Sequence, residues 1–217
     1  MSKFLKWLDN YWYHYKWHTI IVSFFLIIGT ISLVQLFTRE KYDAYVMYVG
    51  DAGIPDTQYY DIVQSLKEVS SDYDGNKEHN INFSKTAFIT DPENQMASSV
   101  NASAVQYLSN LVVQPYYIYL MDETVYKLYK DSGIFVPISE IVSDVPEDWY
   151  YDETAVYFDK TDYANSFPGV DSLGENTLLV LKIMPYSSSK SVMARERQYY
   201  EDHQDMLKNI LSYRKNG

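Results

Sequence analysis

The sequence predicts an α/β protein in which one N-terminal transmembrane helix precedes a mainly parallel-sheet, three-layer domain in residues 42–217. Two observations lead to this prediction. An uncharged apolar run fills residues 19–37, and short β-type runs then alternate with amphipathic helical runs as far as residue 142. Such alternation is typical of right-handed βαβ units, which place helices on both faces of a parallel sheet.

The apolar run in residues 19–37, TIIVSFFLIIGTISLVQLF, contains no charged side chain. A helix rises about 1.5 Å per residue, so this run can cross a hydrocarbon core of roughly 30 Å. The Trp and Tyr side chains at positions 7–17 match the aromatic belt of a membrane interface. The run exceeds the apolar core of a signal peptide, and no small-residue cleavage site follows it. We therefore expect an uncleaved signal anchor in a lipid bilayer.

Charge predicts the orientation of the chain. Lys3, Lys6 and Lys16 precede the span, and Arg39 and Lys41 follow it, which slightly favours a cytoplasmic N-terminal segment, residues 1–18. Apolar side chains at helical spacing suggest that this segment is an interfacial helix. Residues 42–217 hold 13 Lys or Arg and 27 Asp or Glu, for a net charge of −14. An anionic inner leaflet or a nucleic acid would repel this charge, so we predict an extracellular domain at the cell membrane that binds no nucleic acid.

Residue types exclude several kinds of chemistry. The chain has no cysteine, which rules out disulfides, thiolate metal sites, iron–sulfur clusters and cysteine nucleophiles, and favours a bacterial cell envelope. It has no G-x-S-x-G motif and no glycine-rich phosphate loop. We predict no enzyme activity, cofactor or metal. The pair His14 and His18 is interpreted as interfacial. Asp72–Glu78 is interpreted as a turn, because its glycine stands at the fourth position and a calcium loop needs it at the sixth.

Each predicted strand is an apolar or alternating run bounded by turn residues, and these runs cover residues 43–49, 81–90, 116–120, 155–158 and 177–184. Apolar residues at helical spacing predict helices over residues 59–69, 96–111, 123–130 and 191–213. Asp56, Asp91 and Asp122 stand where helix caps are expected. Residues 143–176 are acidic and rich in turn residues, and they lose the alternation.

Residues 43–142 carry a family resemblance, and its most specific parts are YYIYLMD at 116–122, VYKLY at 125–129 and SGIFVPI at 132–138. This stretch resembles one lobe of the type 2 extracellular solute-binding proteins, which have the periplasmic-binding-like fold. The resemblance implies a buried strand that ends at Asp122 and a glycine–aromatic–proline run toward an interdomain crossing. The family usually has a glycine-containing turn where this chain has Val112–Pro115. Residues 143–217 are too few for a second lobe, so the resemblance implies half of a ligand cleft.

The carboxyl ends of the predicted strands give the candidate binding residues. In open parallel sheets, ligands bind beyond these ends. The residues found there are Asp51, Asp91, Asp122 and Tyr186. Three aspartates on one edge would suit a cation or an amine, and the alternative for Asp91 and Asp122 is helix capping.

Two functions follow as hypotheses. The first is an interaction module that binds another membrane or envelope protein at the cell surface, suggested by the missing second lobe and the short link of residues 38–42, which should hold the domain close to the bilayer. The alternative is a receptor that senses a small molecule or cation at the strand ends and reports to residues 1–18.

Overall fold

A computed structural model describes residues 3–37, 42–51, 53–73, 75–91, 93–109, 111 and 114–214. The chain forms two compact units that divide after position 41. The first unit contains one helix, α1 (Lys3–Phe37), of 35 residues. It is the one described helix long and apolar enough to cross a membrane, which is consistent with membrane anchoring. It continues without interruption through the predicted boundary at residue 18.

The second unit is built on one six-stranded sheet with the strand order β2-β1-β3-β6-β5-β4. The strands are β1 (Ala44–Gly50), β2 (Ile81–Ala87), β3 (Ile118–Asp122), β4 (Tyr150–Asp152), β5 (Ala155–Tyr157) and β6 (Thr177–Leu181). The α-helices are α2 (Asp56–Val69), α3 (Ala97–Leu108), α4 (Glu123–Tyr129) and α5 (Lys190–Ser212). Short 3₁₀ helices cover Lys130–Ser132, Ile138–Glu140, Glu147–Trp149, Phe158–Lys160 and Val170–Leu173.

Strand direction corrects the prediction of a mainly parallel sheet. β1 pairs in parallel with β2 and with β3, as the βαβ pattern predicts. β6, however, pairs antiparallel with β3, β5 with β6, and β4 with β5. Only two residues, Glu153 and Thr154, join β4 to β5, and so tight a connection permits only antiparallel pairing. The sheet is therefore mixed, and the class is α/β.

The core lies on both faces of the sheet, because successive strand residues point to opposite sides. In β1, Val46 and Tyr48 belong to one buried cluster, and Met47 and Val49 belong to the other. The first cluster is completed by apolar side chains of α2 and α5. The second is completed by α3 and α4. Helices thus cover both faces of the sheet.

α3 begins within one residue of the predicted position 96, but Asp91 does not open it. Asp91 was expected to open this helix, but α3 begins at Ala97. The carboxylate of Asp91 accepts a hydrogen bond from the N–H of Glu93 (2.9 Å), and the amide oxygen of Asn94 accepts one from the N–H of Met96 (2.9 Å). These local turns compete with helical hydrogen bonding, which delays the helix by one turn or more.

Candidate functional site

The predicted aspartate site lies where the parallel strands β1, β2 and β3 end. Asp122, the last residue of β3, accepts hydrogen bonds from the Tyr48 hydroxyl (3.0 Å) and from the Asp51 N–H (2.7 Å). Asp51 in turn accepts hydrogen bonds from the hydroxyl (3.0 Å) and the N–H (3.3 Å) of Thr90. The structure therefore joins Asp51, Thr90 and Asp122 in one network, which we call the aspartate junction. Asp91 is the residue that follows Thr90 in the chain.

The capping alternative is wrong for Asp91, and for Asp122 it holds only in position. Asp91 lies outside α3 and its side chain holds a local turn. Asp122 stands at the N-cap of α4 but makes no capping hydrogen bond to it. Its carboxylate instead connects the end of β3 to the end of β1.

The aspartate junction is tightly filled. A Cβ added to Gly50 would lie 2.2 Å from Oδ1 of Asp122 and 2.3 Å from the Tyr48 hydroxyl oxygen. Burial raises the pKa of Asp122, and the nearby charge of Asp51 adds to this, whereas hydrogen bonds from Asp51 and Tyr48 act in the opposite direction. The carboxylate oxygens thus already accept hydrogen bonds that tie the strand ends together. Ligand binding by Asp51, Asp91 and Asp122 stays a prediction.

Tyr186 does not lie with the three aspartates. It follows β6, which runs antiparallel to β3, so the carboxyl end of β6 reaches the opposite edge of the sheet. The expectation that all four residues share one edge is wrong for Tyr186, because an apolar strand looks the same in sequence whichever way it runs. The Tyr186 side chain is 87% exposed.

Tyr186 instead lines a pocket of about 390 Å³, which we call the tyrosine pocket. Its wall combines the start of β1, the segment before β3, the segment after β6 and the first half of α5. Four tyrosines and two charged residues dominate the lining: Tyr45, Tyr117, Tyr186, Tyr199, Arg195 and Glu196. Oε2 of Glu196 accepts a hydrogen bond from the Tyr117 hydroxyl (2.8 Å). Burial, followed by this contact with Glu196, raises the pKa of Tyr117.

A fully buried lysine supports the wall of the tyrosine pocket. Nζ of Lys182 donates to the carbonyl oxygens of Leu111 (2.9 Å) and Gln114 (2.6 Å). It also lies 4.8 Å from the ring centroid of Tyr117. Burial lowers the pKa of Lys182 to about 8, because the surroundings disfavour the charged amine. The lysine thus fixes the segment before β3 on which part of the pocket is built.

His203, in α5, is buried and serves as a structural acceptor. Nε2 accepts a hydrogen bond from the Tyr45 N–H (2.9 Å), and Nδ1 lies 2.5 Å from the Tyr199 carbonyl oxygen. Burial lowers its pKa to about 4, so the imidazole is neutral near pH 7. With Nε2 accepting, the ring proton is assigned to Nδ1. Both ring nitrogens are then used by the fold.

Sequence reasoning missed Lys182, Glu196 and Tyr117 as members of a pocket. One signal was available for Lys182, since it interrupts the apolar run TLLVLKIM at 177–184, where a charged residue must find buried partners. No comparable signal exists for Glu196, which is one of many acidic residues. Its meeting with Tyr117 depends on how α5 packs against the sheet.

The described residues include no group of three His, Asp or Glu side chains that could hold a metal ion. At the calcium-loop-like segment, the Asp72 carboxylate accepts hydrogen bonds from the N–H groups of Gly75 (2.8 Å), Asn76 (3.0 Å) and Lys77 (2.8 Å). The Asp72 carboxylate therefore holds the backbone of its own segment in a local turn.

No protein family, curated protein or solved structure matches the chain. The resemblance of residues 43–142 to a lobe of the solute-binding proteins therefore stays a prediction.

Proposed function

We propose that the chain is a membrane-anchored interaction module whose extracytoplasmic domain binds a protein partner through the outer face of α3. One observation carries the proposal. The 28 residues from Asn94 to Met121 contain no charge, within a domain whose net charge is −14. Depletion of charged residues marks the centre of protein–protein interfaces, because charges are costly to remove from water.

The α3 face is defined by the exposed side chains Ser99, Ala102, Ser103 and Gln106. Only Ala104 and Leu108 of α3 are buried, so most of the helix surface is open. Larger apolar side chains flank this face: Met96 is 64% exposed and Tyr107 is 39% exposed. Met and Tyr are enriched in interfaces, and the side chains between them carry no charge that a partner would have to desolvate.

Anchoring supports the same proposal. An interaction module held at the bilayer is restricted to partners at the same surface, which raises its effective concentration toward them. The short link predicted from residues 38–42 restricts its reach further.

The proposal is tested by photo-crosslinking in native membranes. A photoreactive amino acid replaces Gln106 on the α3 face in one variant, and exposed Glu201 on α5 in the control. The expected result is a discrete crosslinked product from position 106 that is absent from position 201. Equal patterns from the two positions would count against the α3 face.

Charge variants supply the second arm of this test. Ser103→Lys and Ser103→Glu each place a charge on the α3 face, and Ala194→Lys and Ala194→Glu place the same charges at an exposed position of α5. Both changes at Ser103 should weaken the position-106 crosslink by about tenfold, because each buries an unpaired charge. The changes at Ala194 should leave it unchanged. If only one of the two charges weakens the crosslink, the partner is held by electrostatic attraction, and the proposed uncharged contact is wrong.

The tyrosine pocket favours a second candidate function, a receptor for a small cationic molecule. Aromatic faces attract ammonium groups, and the Glu196 carboxylate lies in the same lining. Tetramethylammonium and short alkylamines should raise the melting temperature of the full chain in detergent. Tyr186→Ala should abolish this shift without changing the melting temperature of the free protein, because the side chain is 87% exposed. No shift with any amine would remove the support for this function.

A further inference from the structure

We infer that α1 associates in parallel with the α1 helix of a second copy of this chain, through an uncharged seam that continues from the N-terminal segment into the apolar span. This inference rests on the proposed insertion of α1 into a membrane. The seam follows an alternating spacing of four and three residues: Phe4, Leu8, Tyr11, Tyr15, His18, Val22, Phe25, Gly29 and Ser32.

An alternation of four and three residues averages 3.5 residues, which is the repeat that two helices need in order to stay in contact along their whole length. A repeat of 3.5 residues keeps one face toward a partner as the helices supercoil. In α1 it holds for the polar N-terminal part and for the apolar span alike.

The charged residues of α1 are placed as this arrangement requires. They are Lys3, Lys6, Asp9 and Lys16. Each falls on an outer position of the repeat, and none falls on the seam or directly beside it. Two copies in register therefore bring no like charges together, although each N-terminal segment is basic. The positions beside the seam in this part are also uncharged, namely Leu5, Trp7, Trp12 and His14.

The length of α1 carries its first turns beyond the hydrocarbon core of a bilayer. Its 35 residues give a helix of about 52 Å, which exceeds a hydrocarbon core of roughly 30 Å by about 20 Å. Phe4 is 65% exposed, Trp7 59% and Trp12 54%. Because α1 continues without a break, this part cannot turn to lie flat on the bilayer, where an interfacial helix would bury such side chains. Aromatic side chains in these first turns therefore lie beyond the hydrocarbon, where a neighbouring helix can bury them.

The aromatic part of the surface is already ordered within one helix. Ring centroids are 6.2 Å apart for Phe4 and Trp7, 5.7 Å for Trp7 and Tyr11, and 5.5 Å for Tyr11 and Tyr15. The Tyr11 hydroxyl also hydrogen-bonds to the Thr19 hydroxyl (2.9 Å). Side chains ordered in advance lose less entropy when a partner docks on them.

Gly29 indicates close contact within the span. A Cβ added there would meet nothing within 4 Å, so α1 itself has no need of glycine at this position. In membranes, small residues at a helix interface let two backbones approach closely. A second copy of α1 in parallel orientation presents the same uncharged seam along its whole length, in the N-terminal segment and in the span alike.

Cysteine crosslinking tests the inference directly, because the natural chain has no cysteine. Tyr15→Cys places a thiol on the seam, and Tyr13→Cys places one on the outer face, where Tyr13 is 77% exposed. Oxidation of membranes that contain either full-length variant should give about fivefold more disulfide-linked dimer from Tyr15→Cys. Equal yields from the two positions, or no dimer from either, would overturn the seam. A heavier product with another protein from Tyr15→Cys alone would overturn the assignment of a second copy.

A charge on the seam provides the matched loss-of-function test. Adding Tyr15→Lys to a Tyr11→Cys chain should lower its dimer yield by about tenfold, because the ammonium groups of two copies would face each other. Adding Tyr13→Lys should leave the yield unchanged. Resistance of each variant to alkaline carbonate extraction is measured in the same membranes. Extraction of the natural chain would refute the anchor and the seam together, whereas retention with equal dimer yields would refute the seam alone.

Discussion

At the residue scale, Lys182 shows how one polar side chain can fix an apolar region. A fully buried amine is tolerated because its Nζ donates to two carbonyl oxygens of the segment before β3. Burial lowers its pKa to about 8, whereas an exposed lysine has a pKa of about 10.4. The folded protein therefore releases the proton of Lys182 at a lower pH than the unfolded chain does.

This difference predicts a pH dependence of stability. Between about pH 8 and about pH 10 the unfolded chain binds more protons at Lys182 than the folded chain, so stability should rise with pH. Relative to Lys182→Met, the natural protein should gain about 1 kcal/mol in its free energy of unfolding for each pH unit above about 8. Urea unfolding between about pH 7.5 and about pH 9.5 measures the difference before most tyrosines titrate. If the free energy of unfolding changed equally with pH in the two proteins, the lowered pKa of Lys182 would be contradicted.

Gly50 gives a second prediction at this scale. A methyl group there would overlap Oδ1 of Asp122 at 2.2 Å and the Tyr48 hydroxyl at 2.3 Å. Gly50→Ala should lower the free energy of unfolding by about 1–3 kcal/mol, since the aspartate junction must move apart to admit it. Gly53→Ala is the matched control, because a Cβ at Gly53 meets nothing within 4 Å. Equal losses in urea unfolding for the two variants would show that the junction is not tightly filled.

At the element scale, the buried side chain of Asp43 fixes the connection between α2 and β2. Its Oδ1 accepts the Tyr73 N–H (2.9 Å), and its Oδ2 accepts the Asn80 N–H (2.7 Å). The N–H of Asp43 itself donates to the Asn80 carbonyl oxygen (2.7 Å). One side chain just before β1 thus anchors both ends of a polar loop and sets where β2 begins beside β1.

Replacing this carboxylate with an amide should destabilise the domain. Asp43→Asn leaves one acceptor for two backbone donors, so one N–H loses its partner at a cost of about 1–3 kcal/mol. Asp43→Ala should cost more, because it removes both acceptors. Asp144→Asn, at an exposed position, serves as the control and should change the free energy of unfolding by less than about 0.5 kcal/mol. An Asp43→Asn protein with natural stability would show that water can replace the carboxylate.

Elements were more predictable than their directions. The runs around residues 46, 83, 118 and 179 were predicted as strands from local apolar patterns, and α2, α4 and α5 were predicted from helical spacing. β4 was missed, because three half-buried residues in an acidic segment carry no periodic signal. The antiparallel direction of β6 depends on tertiary pairing with β3, which no local pattern encodes, and this is why Tyr186 was placed at the wrong edge.

The candidate sites differ in predictability for the same reason. Asp51 and Asp122 could be placed together because they end neighbouring parallel strands, which is a rule about topology. The tyrosine pocket could not be predicted, because Tyr45, Tyr117 and Glu196 come from three separate stretches of the chain. Their meeting depends on the packing of α5 against the sheet, which the sequence constrains only through one apolar stripe.

At the scale of the whole molecule, the chain consists of two compact units whose compositions suit different solvents. Residues 42–217 contain both buried clusters, whereas α1 contributes no residue to either of them. The charge of −14 in residues 42–217 suits water, and the uncharged run of residues 19–37 suits lipid. The composition of each unit therefore matches a different solvent.

This division predicts that the domain folds without the anchor. A chain of residues 42–217 should be monomeric and should unfold in one cooperative transition. Its melting temperature should lie within about 3 °C of that of the full chain in mild detergent, since no core residue is lost. Circular dichroism during heating measures both proteins. A domain that aggregates or melts without cooperativity would show that α1 contributes to its stability.

Orientation across the membrane gives the last prediction, and it too uses the absence of natural cysteine. Lys3, Lys6 and Lys16 precede the apolar run, so the positive-inside rule predicts that this end stays in the cytoplasm and that the acidic domain crosses the membrane. On intact cells that make the protein, a membrane-impermeant maleimide should therefore label Asp144→Cys, an exposed position of the domain, and should not label Lys6→Cys. Permeabilised cells should show labelling at both positions, which controls for the reactivity of the two thiols. Labelling of Lys6→Cys alone on intact cells would reverse the topology, and a partner at the outer surface would then be excluded because the α3 face would lie in the cytoplasm.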